Sequence, residues 1–118
     1  AARRVCPATG KGWRLPSDAE WRQLAARHGG ISADALDKGK SAYKALLTGG
    51  GSGFNALLGG GRDQQGQYAR GDAHGFYWTA TESDGGAVYY NFGKGGQALH
   101  RQTGGEKDRA FSVRCIHD

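Results

Sequence analysis

Residues 75–118 constrain the fold more than any other part of the chain. They hold four short runs rich in aromatic and β-branched residues, at 77–82 (YWTATE), 87–92 (AVYYNF), 97–102 (QALHRQ) and 110–117 (AFSVRCIH). Clusters of Gly, Asp and Lys separate the runs, which is the pattern of antiparallel strands joined by turns. Asp84-Gly85-Gly86 and Gly93-Lys94-Gly95-Gly96 supply the residue types that tolerate positive φ in tight hairpin loops. The upstream residues then have to cover this sheet.

The cover is short and mostly helical. Ser17-Asp18-Ala19-Glu20 is a capping box, with Ser17 accepting from the N–H of Glu20 and Glu20 reaching back. Leu15 and Trp21 are spaced as a hydrophobic staple. Trp21, Leu24, Ala25 and His28 fall on one helical face, and Gly29-Gly30 ends the helix. Residues 31–40 read as a polar connection. Residues 41–47 (SAYKALL) predict a second helix burying Ala42, Tyr43, Leu46 and Leu47. A glycine-rich loop, 48–53, precedes the apolar run 54–58, and residues 64–74 read as polar loop. Residues 3–6 (RRVC) predict a short terminal strand. Helices first and a meander last make an α+β domain. At 118 residues the chain has room for one core, so one domain spans 1–118.

Several function classes are disfavoured. The net charge is +5, but Arg and Lys are scattered through every segment rather than gathered on one stripe, which argues against nucleic-acid binding. No apolar run is long enough to insert in a membrane. The glycines at 59–61 lack the Lys-Ser/Thr ending of a phosphate loop. His74, His100 and His117 are too dispersed for a zinc signature. Neither a metal nor any other cofactor is expected. Glu82 and Asp84 are close in the chain, but both sit at a strand end beside turn glycines, where solvated carboxylates are common; a glycosidase pair is not expected there. Arg70-Gly71-Asp72 matches an adhesion tripeptide, a match too short to carry weight.

Cys6 and Cys115 lie near opposite ends of the chain. Their spacing fits neither a metal cluster nor a nucleophile with its supporting residues. A disulfide joining the N-terminal segment to the last strand is the simplest account, and it implies an oxidising compartment. Two separate buried thiols are the alternative.

Cys6-Pro7 followed by Gly12-Trp13-Arg14-Leu15-Pro16-Ser17-Asp18-Ala19-Glu20-Trp21 resembles the opening motif of the Fibrobacter succinogenes major paralogous domain. Gly53-Phe54-Asn55-Ala56-Leu57 with Gly60 and Arg62 resembles its middle motif. Tyr77-Trp78-Thr79-Ala80-Thr81-Glu82 is similar to its WSSTE strand, and Phe111-Ser112-Val113-Arg114-Cys115 to its closing motif. The resemblance implies a C-type lectin-like fold, two helices packed on a twisted antiparallel sheet with the chain ends side by side. It also implies an exported bacterial or phage protein, at the cell surface, in the periplasm or outside the cell. Domains of this kind carry further strands upstream of the Cys-Pro motif, and the sequence starts just before it. The same fold carries the variable proteins of diversity-generating retroelements, whose exposed C-terminal residues are rewritten by adenine-directed mutagenesis. The related formylglycine-generating enzymes need active-site cysteines that this chain does not have to spare. The calcium-lectin motifs, Glu-Pro-Asn or Gln-Pro-Asp, are absent from the sequence.

The expectation is a non-enzymatic module that binds a protein or glycan ligand. Strand alternation points Val88, Tyr90 and Phe92 inward, and Tyr89 and Asn91 outward. In the next strand Leu99 and Arg101 share one face, and His100 and Gln102 the other. Tyr77, Glu82, Asp84, Tyr89, Asn91, His100, Gln102 and Glu106 are the expected ligand contacts. Trp13, Trp21, Trp78 and Phe111 are the expected buried scaffold. A structural or adhesive domain of a larger surface lipoprotein, with no ligand of its own, is the competing expectation.

Overall fold

The computed structural model describes residues 2–47, 49–63 and 65–117. Thr48, at the start of the expected glycine loop, and Gln64, at the start of the expected polar loop, lie outside the described residues.

The centre is a three-stranded antiparallel sheet in chain order, β4 (His74–Ser83), β5 (Gly86–Gly93) and β6 (Ala98–Gly105). The sequence runs located all three: β4 starts three residues before its run, β5 exceeds its run by one residue at each end, and β6 starts one residue late and ends three residues past. Asp84 at φ 54° and Gly85 at φ 76° make the β4–β5 turn, where the sequence placed positive φ. The pairing shifts register between Trp78 and Glu82, and again between Ala87 and Tyr89. Both irregularities lie toward the β4–β5 turn, so the alternation across Tyr89–Phe92 survives.

Helices α2 (Asp18–Ala26) and α3 (Lys40–Leu46) cover one face of this sheet. The capping box at α2 forms in full: Ser17 Oγ accepts from Glu20 N–H at 3.2 Å, and Glu20 Oε1 accepts from Ser17 N–H at 2.9 Å. Trp21, Ala25, Ala42, Tyr43 and Leu46 from the helices meet Tyr77, Val88, Tyr90, Phe92 and Leu99 from the sheet in one apolar cluster. Leu15 does not staple to Trp21. It goes to a second cluster, with Cys6 and Trp78, on the other side of the sheet.

The segments that frame the sheet differ from expectation. The predicted strand at 3–6 is helical: α1 runs Ala2–Thr9 with Pro7 inside it. The helix buries Cys6 completely, and Thr9 Oγ1 donates to the carbonyl of Cys6 at 2.7 Å. The predicted strand at 110–117 survives only as β7 (Ile116–His117), which pairs with β1 (Trp13–Arg14). Upstream of β7 the chain makes single bridges, Ala110 to Arg62 and Ser112 to Tyr77. Its backbone groups are shared between two partners, so no continuous ladder forms. Within the expected polar loop, β3 (Tyr68–Ala69) folds back on β2 (Gly61–Arg62), just upstream of it, as a small hairpin.

Cys6 and Cys115 are joined by a disulfide, with their Cα atoms 5.5 Å apart. Trp13, expected as buried scaffold, is 41% exposed and sits edge-on to the His117 ring at 5.0 Å. Its strand is two residues long, and the indole rests only partly covered against Gly10 and His117. Trp13→Ala is therefore expected to leave the unfolding free energy, from a denaturant titration, within about 1 kcal/mol of wild type, far from the effect of replacing a core tryptophan.

Candidate ligand-binding face

The period of two along β4, β5 and β6 sorts side chains to opposite faces of the sheet. Tyr77, Val88, Tyr90, Phe92 and Leu99 go to the helix side. On the other face the register sets two rows: Trp78, Tyr89 and Gln102, then Phe76, Asn91 and His100. No helix α2 or α3 residue reaches this side. Instead the C-terminal segment lays Phe111 on it, with ring centroids 4.6 Å from Trp78, 4.8 Å from Phe76 and 4.9 Å from Tyr89. Gly105 lets the rings come this close. A Cβ there would stand 2.7 Å from Tyr89 Cδ1 and 2.9 Å from Trp78 Cζ3. Gly105→Ala is expected to cost about 1–3 kcal/mol and to change tryptophan fluorescence, both readable in one denaturant titration.

Two clefts flank Phe111. The larger, about 620 Å³, has a floor of Leu15, Trp78, Ala80, Ala87 and Val113 and a charged rim that includes Glu82 and Lys107. Glu82 and Lys107 pair across that rim. The smaller, about 310 Å³, lies between the β2–β3 hairpin and the end of β6, with Tyr89 and Glu106 in its wall and Arg62, Arg70 and Arg109 around it.

The expected contacts divide into groups. Glu82, Tyr89 and Glu106 line the clefts. Gln102 is exposed beside Tyr89, and Asp84 is exposed in the adjoining turn. Asn91 and His100 face each other in the next row, both half-buried: Asn91 Oδ1 is 3.0 Å from His74 Nδ1, and His100 Nδ1 is 2.8 Å from Ser32 Oγ. Tyr77 corrects the expectation. It is 3% exposed, on the helix side; its hydroxyl donates to the carbonyl of Leu57 at 3.0 Å and accepts from the Leu57 N–H at 2.8 Å. Odd-numbered positions of β4 face inward at that point, and the aromatic content of the run gave no sign of which parity would win.

Sequence reasoning missed Arg62, Arg70 and Arg109. Arg62 was noted as part of a motif, and Arg70 as part of a tripeptide. Neither pattern says that a hairpin and the C-terminal segment, distant in sequence, would set three guanidiniums around one cleft. Arg70 and Asp72 both take left-handed φ, 64° and 63°.

The strongest electrostatics lie on the helix side. Asp18 accepts from Arg101 Nε at 2.8 Å and Nη2 at 2.7 Å, and the Tyr90 hydroxyl donates to Asp18 Oδ1 at 2.7 Å. Arg101 chiefly holds the Asp18 carboxyl below its ordinary range, against the opposing effect of burial. Burial, then the Asp18 contact, pushes the Tyr90 phenol well up, so it stays protonated and donates. These groups pin the start of α2 to the sheet. Glu20 is held at about 2, first by its paired hydrogen bonds from Arg14 and then by the Ser17 N–H. A carboxyl lowered on folding lends stability above its unfolded value of 4.5 and loses it as pH falls toward 2. Thermal midpoints should therefore drop across that window, and Glu20→Gln should flatten the drop. Among the described residues no cluster of three His, Cys, Asp or Glu side chains could hold a metal ion.

The family model described as the Fibrobacter succinogenes major domain matches residues 1–117. The chain belongs to that family. In this Fibrobacter succinogenes major domain the opening segment sends Trp21 to the helix side and Cys6 and Leu15 to the opposite side, where Phe111 and Cys115 of the closing segment join them. Neither curated proteins nor solved structures give a match to this domain.

Proposed function

We propose that this domain is a non-enzymatic recognition module of an exported protein, with a C-type lectin-like fold, and that the sheet face opposite α2 and α3 meets a protein or glycan ligand. One observation carries the reading: that face has apolar-floored clefts edged by exposed polar residues, on a sheet whose other face packs against α2 and α3. A rigid scaffold that leaves one surface free to vary separates stability from recognition. The Cys6–Cys115 disulfide is compatible with export, as such bonds persist in oxidising compartments. Among the described residues no helix is long and apolar enough to cross a membrane. We place the domain among the variable proteins of diversity-generating retroelements, with Tyr89, Asn91, Gln102 and Glu106 as the exchangeable positions.

Gene context tests the retroelement part. The expected result is a reverse transcriptase gene beside a near-repeat of the 3′ coding end that differs only at adenines, with its changes at outward positions of β5 and β6. Absence of both elements removes that part. Arrayed glycans and peptides test the binding part. A Tyr89→Phe/Gln102→Ala variant, which keeps the ring packed on Phe111, should hold the wild-type melting temperature and weaken the wild-type hits. Hits retained in full would move the site off this face.

The adhesive reading has one observation in its favour. Several polar groups of the face are engaged internally, as Glu82 is with Lys107 and Asn91 with His74. On that reading the variant behaves as wild type in every assay.

A further inference from the structure

The smaller cleft has the chemistry of an anion site built on a hydrophobic floor. Its wall contains three guanidiniums, Arg62, Arg70 and Arg109, against two carboxylates, Asp63 and Glu106. These charges are not equally available. Arg109 pairs with Glu106 at 3.1 Å. Asp63 Oδ1 accepts from the N–H groups of Gln65 and Gln67, each at 2.9 Å, and so closes its own hairpin. Arg62 and Arg70 have no ion-pair partner among the described residues. One unit of positive charge is left over, and it resides on these two.

Arg62 is also held in place. Its backbone exchanges hydrogen bonds with Ala110, at 2.8 and 2.9 Å, and its guanidinium lies 5.7 Å from the centre of the Tyr68 ring. A cation fixed in this way loses little freedom when an anion arrives. The floor comes from Phe76, Tyr89 and Phe111. The Tyr89 hydroxyl has no hydrogen-bond partner among the described residues, so a donor is free at the edge of an apolar surface.

We infer that this cleft binds a single carboxylate carried on a six-membered ring. The carboxylate takes Arg62 and Arg70, a ring face lies on the aromatic floor, and the Tyr89 hydroxyl donates to the ligand. The volume, about 310 Å³, suits one ring rather than an extended chain. A multiply charged anion such as phosphate would be stripped of water against three aromatic rings with only one net charge to balance it, so a monoanion is favoured. This inference rests on the recognition reading for the choice of face, and adds the ligand chemistry.

The test titrates the domain at low salt with benzoate and with glucuronate, each beside its neutral counterpart, benzamide and glucose, following backbone amide shifts. The acids are expected to shift Arg62, Arg70, Gly104 and Gly105, and to bind at least about 10-fold more tightly than the neutral probes, as a charge-assisted contact implies. Binding by benzoate alone would identify a flat aromatic acid, and binding by glucuronate alone a sugar acid; either supports the site. Arg62→Gln with Arg70→Gln should weaken the acids by about 10-fold or more and leave the melting temperature unchanged, because both side chains are exposed. Acids that bind the double variant as they bind wild type overturn the inference. So do neutral probes that shift the same amides as strongly, an outcome that leaves the recognition role itself standing. No shift at this cleft with any probe, beside array hits that map to the larger cleft, overturns the inference alone.

Discussion

Replacing Cys6 and Cys115 together by serine should remove about 4–5 kcal/mol of folding stability. The bond closes a loop with a sequence separation of 109 residues, which is nearly the whole described chain. Chain entropy favours long loops as the place for a crosslink, since the open chain loses most freedom there. The local structure adds to the expected effect. Helix α1 contacts the remainder of the domain largely at β1, and Cys6 is its fully buried residue. Without the bond, α1 should fray first, followed by the β1–β7 pair. Chemical denaturation of the double-serine variant, with hydrogen exchange across residues 4–14, checks both the magnitude and the order. A midpoint within about 1 kcal/mol of wild type would mean that packing alone closes the domain.

Trp21→Ala should be as costly, about 3–5 kcal/mol. Trp21 is 2% exposed, stacked on Tyr90 at 5.2 Å and edge-on to Phe54 at 5.5 Å, with Tyr77 and Phe92 completing its surround. Truncation would open a cavity between α2 and the sheet, where the Asp18–Tyr90–Arg101 contact limits collapse. Trp21→Phe separates packing from polarity. The indole Nε1 is buried without a hydrogen-bond partner among the described residues, so phenylalanine removes volume but no hydrogen bond. It should cost roughly 1–2 kcal/mol, measured by the same urea titration. A cost equal to that of alanine would show that the indole N–H is satisfied in solution.

Local signals accounted for much of the scaffold. The Ser17–Glu20 box, the buried Ala42, Tyr43 and Leu46 of α3 and the alternation along β5 each depend on residues a few positions apart and formed as read, while Leu47, expected in the buried set, is the half-buried C-cap of α3. The Cys6–Cys115 pairing was readable because no other cysteine competes. What failed was decided at long range. Residues 3–6 lie beside β1, but β1 pairs with β7 instead, and as a helix the segment satisfies its own backbone groups. Residues 110–115 had to bridge both Arg62 and Tyr77, which forbids one long ladder. Tyr77 was misassigned to the ligand side because a run of aromatics hides its own parity. The smaller cleft was unreadable for a related reason: its guanidiniums come from β2, from the residue after β3 and from the C-terminal segment, and only the tertiary fold brings those together.

The central sheet is a partition. Trp21 and Phe92 lie in one apolar compartment, Trp78 and Phe111 in another, and the strands stand between them. Side chains that share no neighbours perturb a protein independently. A substitution at Tyr89 and one at Leu46 should therefore sum when combined. Mutational drift on the Trp78 side would then be invisible to the helices behind it, a wall that lets one room be refurnished while the other stays occupied.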